Sequence, residues 1–302
     1  MLPPGLPVPT ISPRLLLCLL ITYLVWGTTY LAIRFTLESF PPFLMMGSRF
    51  LCAGLLLALW LRYRGAAMPT LRQLRNCGVL AAFLLVGGMG LTAVAEQTIS
   101  SGATTVMIGA MPIFGLFWGI CFGARPRWYE VLAIALGSAG ILVLTGGAEF
   151  RASATGVMAL LVAIGSWSFG SQIARRLDLP QGAVAFAAEM LLGGAILLTL
   201  SVAFGEPWPR TVSSQAWWAW VYLVVAGSLV AFSAYMYLVA NVSPTVSSSY
   251  VYVNPPVALA VGAWLGSEQI APQTFGAVAL ILGALAVLSL GTWHGARAVA
   301  AT

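Results

Sequence analysis

Ten long apolar stretches make up this chain, and the first five resemble the last five. Residues 99–123, which carry Pro112, lie over residues 242–266, which carry Pro255, at a constant offset of 143. At the same offset Gly140 falls on Gly283; at an offset of 141 Trp26 falls on Trp167 and Arg34 on Arg175, and at 140 residues 49–54 fall on residues 189–194. A drifting offset is what short insertions leave after an old duplication. Because five is odd, the two copies must enter a membrane from opposite sides, which is the arrangement of inverted-repeat transporters.

Composition requires the membrane. The chain is 60% apolar and 7% charged, whereas a soluble domain carries about 25% charged residues. With about 20 apolar residues needed per crossing, spans are predicted near 15–34, 43–61, 77–95, 102–122, 128–146, 155–173, 181–204, 217–239, 246–265 and 273–291. The runs 15–20 and 277–290 lack the alternation of a transmembrane strand. The predicted fold is therefore an all-α integral membrane protein of ten transmembrane helices in two inverted five-helix repeats. Its predicted parts are a tail at 1–14, a first repeat at 15–147, a second at 153–291 and a C-terminal tail at 292–302.

All 14 basic residues are arginines, and on this span plan ten of them, including Arg62, Arg64, Arg72, Arg75, Arg125, Arg127, Arg175 and Arg176, fall on one side. Arg34, Arg151 and Arg210 fall opposite, with Glu38, Glu149, Glu206 and Glu268, and Arg49 lies inside a span. The positive-inside rule then puts both termini in the cytoplasm. The net charge of +6 is read as this topology signal, so no nucleic-acid partner is expected. The first span is too long for a signal peptide and no small-residue cleavage site follows it. Its Pro-rich leader reads as a disordered tail, and residues 70–75 as a short interfacial turn.

Absent motifs exclude several chemistries. Without lysine there is no phosphate-binding P-loop, and so no ATP hydrolysis by this chain, and no retinal Schiff base. Cys18, Cys52, Cys77 and Cys121 lack metal spacing and read as small apolar residues. The one histidine, His294, falls at the end of the last span. No metal, no cofactor and no enzymatic activity are expected.

Nine of eleven tryptophans, among them Trp60, Trp118, Trp128, Trp220, Trp264 and Trp293, fall near span ends as an aromatic belt does. Trp26 and Trp167 fall mid-span and are repeat equivalents; they read either as packed core or as the lining of a midplane cavity between the halves. Thr22, Thr29 and Tyr30 beside Trp26, and Ser166, Ser171 and Gln172 beside Trp167, favour the cavity. Pro112 and the pair Pro255 and Pro256 interrupt spans four and nine, where they remove helix hydrogen bonds and free the carbonyls of Ile108, Val251 and Tyr252. Span nine also carries Ser247, Ser248, Ser249, Tyr250, Tyr252 and Asn254, a polar face that must turn from lipid. Arg49, Glu96 and Glu189 are intramembrane charges. Arg49 is expected to reach Glu96, and Glu189 to meet Arg175 or Arg176. Ala133 with Gly137 and Ala279 with Gly283 form small-residue faces for close helix packing, a homodimer being their alternative use.

The motif Trp26-Gly-Thr-Thr-Tyr30 followed by Arg34, the start of span two at Pro41 and Pro42 with Arg49 and Phe50, and the Tyr-Val-Tyr-Val-Asn-Pro run at 250–255 resemble the drug/metabolite transporter superfamily, specifically its EamA family. The resemblance covers nearly all of the chain after residue 14, as two EamA repeats. It implies alternating access around a central cavity lined by helices one, three, four, six, eight and nine, with five and ten peripheral. It further implies export of amino acids, aromatic ones included, or of other metabolites or drugs, without ATP. The expected function is secondary-active export of amino acids or related small metabolites across a bacterial inner membrane. Trp26, Tyr30, Trp167, Ser171, Gln172, Tyr235, Tyr250 and Asn254 would form the cavity. A facilitator or channel without ion coupling is the near alternative. An intramembrane enzyme lacks its acid, histidine and lysine clusters, and a purely structural subunit would not need the inverted repeat. The expected partners are a small-molecule substrate and the lipid bilayer.

Overall fold

A computed structural model of the chain describes residues 12–123, 125–146, 153–242, 244–247 and 249–300, with backbone alone at 239, 240, 244, 245 and 292–300. The N-terminal leader to residue 11, Ala124, Glu149, Arg151, Ser248 and the side chains of Trp293, His294 and Arg297 lie outside the described residues. Ten long helices carry the fold: α1 Pro13–Leu37, α2 Pro42–Tyr63, α3 Leu71–Glu96, α4 Ser101–Cys121, α5 Trp128–Thr145, α6 Ala154–Ala174, α7 Ala183–Ala203, α8 Ser214–Leu238, α9 Tyr250–Leu265 and α10 Pro272–Ala300. All but α9 are long and apolar enough to cross a bilayer, and among the described residues there is no strand.

The starts follow from side-chain caps. Ser12, Ser100, Ser153 and Ser213 each accept a bond from an N–H in the first turn of α1, α4, α6 and α8, satisfying donors for which the helix has no acceptor of its own. Thr70 and Gln73 form a reciprocal capping box at α3. Residues 70–75 are therefore the cap and first turn of α3 rather than a separate interfacial turn, and Leu71 stands 84% exposed on its outer face. Polar residues in that turn hide the helix from a hydropathy reading, which started the span at 77.

Every helix packs across the two halves. α2 lies on α7 and α5 on α10, each against its own repeat equivalent. α1 packs on α8 and α9, while α6 packs on α3 and α4, the same relation inverted. α3 and α8 share one further feature: both widen to π-helical turns, over Ala82–Gly90 and Leu223–Val230. Such turns shift side-chain direction and often mark functional positions.

Three local expectations are corrected. α4 breaks at Gly109 and Ala110, just before Pro112, but α9 runs unbroken through Pro255 and Pro256 after a separate turn at Pro244–Ser247. Pro255 and Pro256 stand inside α9, so the carbonyls of Val251 and Tyr252 lose their helix donors without the helix breaking. Trp118 and Trp220 are not belt residues: the first donates to the Gly165 carbonyl at 3.0 Å and the second to Ser48 Oγ at 3.1 Å, both across the halves. On α10 the buried face is Ala277, Ile281, Ala284 and Leu285. A β-carbon on Gly140 would meet the Ala277 carbonyl oxygen at 3.2 Å, whereas one on Gly283 would meet nothing within 4 Å. Ala133 and Gly137 of α5 are both buried, Gly137 directly against the Ile113 side chain of α4, so that face serves close packing, whereas Gly283 faces open space.

Candidate functional site

Trp26 sits midway along α1, where its indole N–H donates to the Gly227 carbonyl of the π-helical part of α8 at 3.3 Å. Its ring lies 5.1 Å from Tyr235 of α8 and 4.9 Å from Tyr250 of α9, and Tyr235 and Tyr250 stand 5.9 Å apart at 90°. Three helices from both halves therefore bring three aromatic rings to one point. Edge-to-face packing of this kind aims the positive edge of one ring at the negative face of another, and an aromatic face likewise attracts a cation. Phe232 extends the cluster from Tyr235 at 6.4 Å and stacks on Phe186 of α7 at 3.3 Å. Neither phenylalanine is visible to a sequence reading, since an apolar ring in an apolar helix carries no signal.

Asn254 is buried beside these rings. Its amide nitrogen donates to the main-chain carbonyls of Tyr23 and Tyr250, each at 3.2 Å. It thus ties α1 to α9, whose close approach also requires Gly27, where a β-carbon would stand 2.6 Å from Val257. The Tyr23 hydroxyl shares a 2.6 Å hydrogen bond with Ser249. Tyr252 points elsewhere, donating to the Leu285 carbonyl of α10 and bonded to Ser289, so the polar face of α9 is divided between two neighbours.

From the aromatic cluster a stripe continues along α1. Trp26, Tyr30 and Arg34 are spaced four apart on one face, and over eight residues the helix rises about 12 Å. Tyr30 is half-buried, within electrostatic reach of Glu96 and Arg49. Arg34 ends the stripe in an ion pair with Glu268, 3.2 Å away. Glu268 also accepts the Ser101 and Gly102 N–H groups at 2.9 and 3.1 Å. A residue of the loop after α9 thereby holds α1 and the N-terminus of α4, where a negative charge is favoured. Glu206 does the same for α2, accepting from Phe43 N and Leu44 N.

The other intramembrane charges are arranged differently from expectation. Arg49 donates to Ser228 Oγ at 3.0 Å and lies over the Phe50 ring, with no ion pair to Glu96. Glu189 is buried, and among the described residues it pairs with neither Arg175 nor Arg176. Arg176 instead covers the Phe122 ring at 4.6 Å. Arg49 and Glu96 lie within electrostatic reach of each other without forming an ion pair.

Trp167 lies apart from the ring cluster. A β-carbon on Gly88 would meet its Cε3 at 2.7 Å, so it packs on the π-helical part of α3 as Trp26 packs on that of α8. Ser166, Ser168 and Gln172 donate to the carbonyls of Phe83, Met111 and Gly115, and Ser171 turns back to the carbonyl of Trp167. Gln172, Pro112 and Gly115 line a cleft of about 370 Å³ that runs to Arg125, Arg127 and Glu130 at the helix ends. Among the described residues no cluster of three metal-binding side chains occurs.

An inverted pair of five-helix units meeting at a polar and aromatic centre defines a membrane transporter. The chain belongs to the EamA-like transporter family, whose model matches twice, over residues 14–146 and 154–290. It is 40% identical to the uncharacterized inner membrane transporter YedA of Escherichia coli K12, covering 90% of this chain and 89% of that one. It is 28% identical, over 89% of each chain, to a probable terminal-alkyne amino-acid exporter of Streptantibioticus cattleyicolor. A crystal structure at 24% identity superposes with a TM-score of 0.65 over 91% of this chain and 97% of that one, which shows the shared fold.

Proposed function

We propose that the chain is a secondary-active exporter of neutral amino acids and related small metabolites across the bacterial inner membrane, with both termini cytoplasmic. The observation that carries the reading is the meeting of Trp26, Tyr235 and Tyr250 from both halves. Their faces suit an ammonium group and an apolar side chain together, which a neutral amino acid presents. The exporter named among the relatives acts on an amino acid, in keeping with this choice.

Access alternates on either side of that cluster. The cleft along Gln172 and Pro112, which ends at Arg125, Arg127 and Glu130, is the cytoplasmic approach. On the external side Glu268 and Arg34 close α1 against α4. Closure there and an opening opposite are what a carrier in its cytoplasm-facing half-cycle requires. Phenylalanine is the probe. Proteoliposomes should move labelled phenylalanine against its concentration gradient under an imposed ion gradient. Equilibration without accumulation would make the protein a facilitator, and no movement of any neutral amino acid would remove the substrate class.

A further inference from the structure

Glu96 ends α3 at 3% exposure, and neither oxygen of its carboxylate has a hydrogen-bond donor. At the same corner Ser101 Oγ and Thr104 Oγ1, three apart on one face of α4, are also buried without partners. The charged and titratable groups around Glu96 are Tyr30 and Arg34 of α1, Arg49 of α2 and Glu268 of the loop after α9. α6 packs on this end of α3 and carries no titratable side chain over Ala154–Ala174. At this end α4 brings hydroxyls alone.

Both arginines are engaged elsewhere, Arg34 by Glu268 and Arg49 by Ser228 and Phe50. Neither makes an ion pair with Glu96. A carboxylate so enclosed would be a buried charge with neither a hydrogen bond nor an ion pair, a costly state. The carboxylic acid avoids that cost, and the nearby hydroxyls of Ser101 and Thr104 are themselves unpartnered. We propose that Glu96 is a proton-binding site of the transport cycle, and that the external face closes only when it is loaded. Water at the open external face gives up a proton to one carboxylate oxygen; closure then occludes a neutral group. When the cycle opens to the cytoplasm, the O–H bond breaks and the proton passes to water on that side. The role in coupling rests on the transporter reading above, whereas the protonation of Glu96 does not.

Two measurements test it. Infrared spectra of the purified protein at neutral pH should contain a protonated-carboxyl carbonyl stretch that is absent from Glu96→Gln and from Glu96→Met, and retained in Glu189→Gln. Identical carboxyl bands in the wild type and both Glu96 variants would overturn the proposal. In proteoliposomes Glu96→Gln, a permanent mimic of the loaded form, should keep phenylalanine exchange across the membrane. Its accumulation under an imposed pH gradient should fall to the level of empty vesicles. Gradient-driven accumulation at the wild-type level in that variant would also overturn it. Should the wild type fail to move phenylalanine, the substrate reading falls and the infrared comparison still decides Glu96.

Discussion

Gly194 of α7 meets Leu51 of α2 so closely that a β-carbon on it would stand 2.7 Å from the Leu51 main-chain nitrogen. Gly54 meets the nitrogen of Leu191 in the same way, at 3.0 Å. The second contact is the first carried through the repeat offset of 140, so the axis relating the halves passes between α2 and α7. Lipid is as apolar as a leucine, and helices in it associate by such backbone approach.

Gly194→Ala should therefore lose about 1 to 3 kcal/mol of stability, because the atom it strikes is main chain and cannot rotate away. Gly283→Ala adds its methyl to open space and should gain up to about 1 kcal/mol of helix propensity. Thermal unfolding in detergent compares them. A wild-type midpoint for Gly194→Ala would mean that the α2–α7 seam is loosely packed.

The external closure should be asymmetric in its energetics. Glu268→Ala strips acceptors from two helix N–H groups, so a loss of about 1 to 3 kcal/mol is expected. Arg34 is 42% exposed, and Arg34→Ala should cost no more than about 1 kcal/mol. Both variants should raise the labelling of a cysteine placed at Ser101, which is fully buried in the closed arrangement. Unchanged labelling in Glu268→Ala would show that this contact does not hold the face shut.

Inversion of the halves predicts opposite exposure for two equivalent loops. In a background lacking Cys18, Cys52, Cys77 and Cys121, a cysteine at Arg125 should react only from the cytoplasm and one at Ser267 only from outside. Reaction of both from one side contradicts the inverted arrangement.

Much of this architecture was legible because it rests on composition and period. The spans and the repeat need only apolar runs and an offset, and Trp26, Tyr235, Tyr250 and Asn254 stood out as polar or bulky groups at mid-depth. Rotation about each helix axis was not legible, since nearly uniform apolar helices show no preferred face. That is why Trp118 and Trp220 read as belt residues, and why Glu189 was assigned arginines that it does not meet. Glu268 read as a topology marker alone. Its grip on Arg34, Ser101 and Gly102 joins residues far apart in the chain and has no local signature. Widening of α3 and α8 to π-helical turns likewise depends on tertiary contacts.

The central claim is that the aromatic cluster shared by the two halves binds the substrate. It is tested most directly by the flux of labelled phenylalanine per inserted molecule in proteoliposomes of the wild type, Trp26→Ala, Tyr235→Ala, Tyr250→Ala and, as an exposed control, Trp60→Phe. A ring face lost to an ammonium group removes about 0.5 to 2 kcal/mol, so each alanine variant should lower apparent affinity roughly twofold to thirtyfold while Trp60→Phe matches the wild type. Wild-type affinity and flux in all three alanine variants would contradict the account and leave the cluster as core packing.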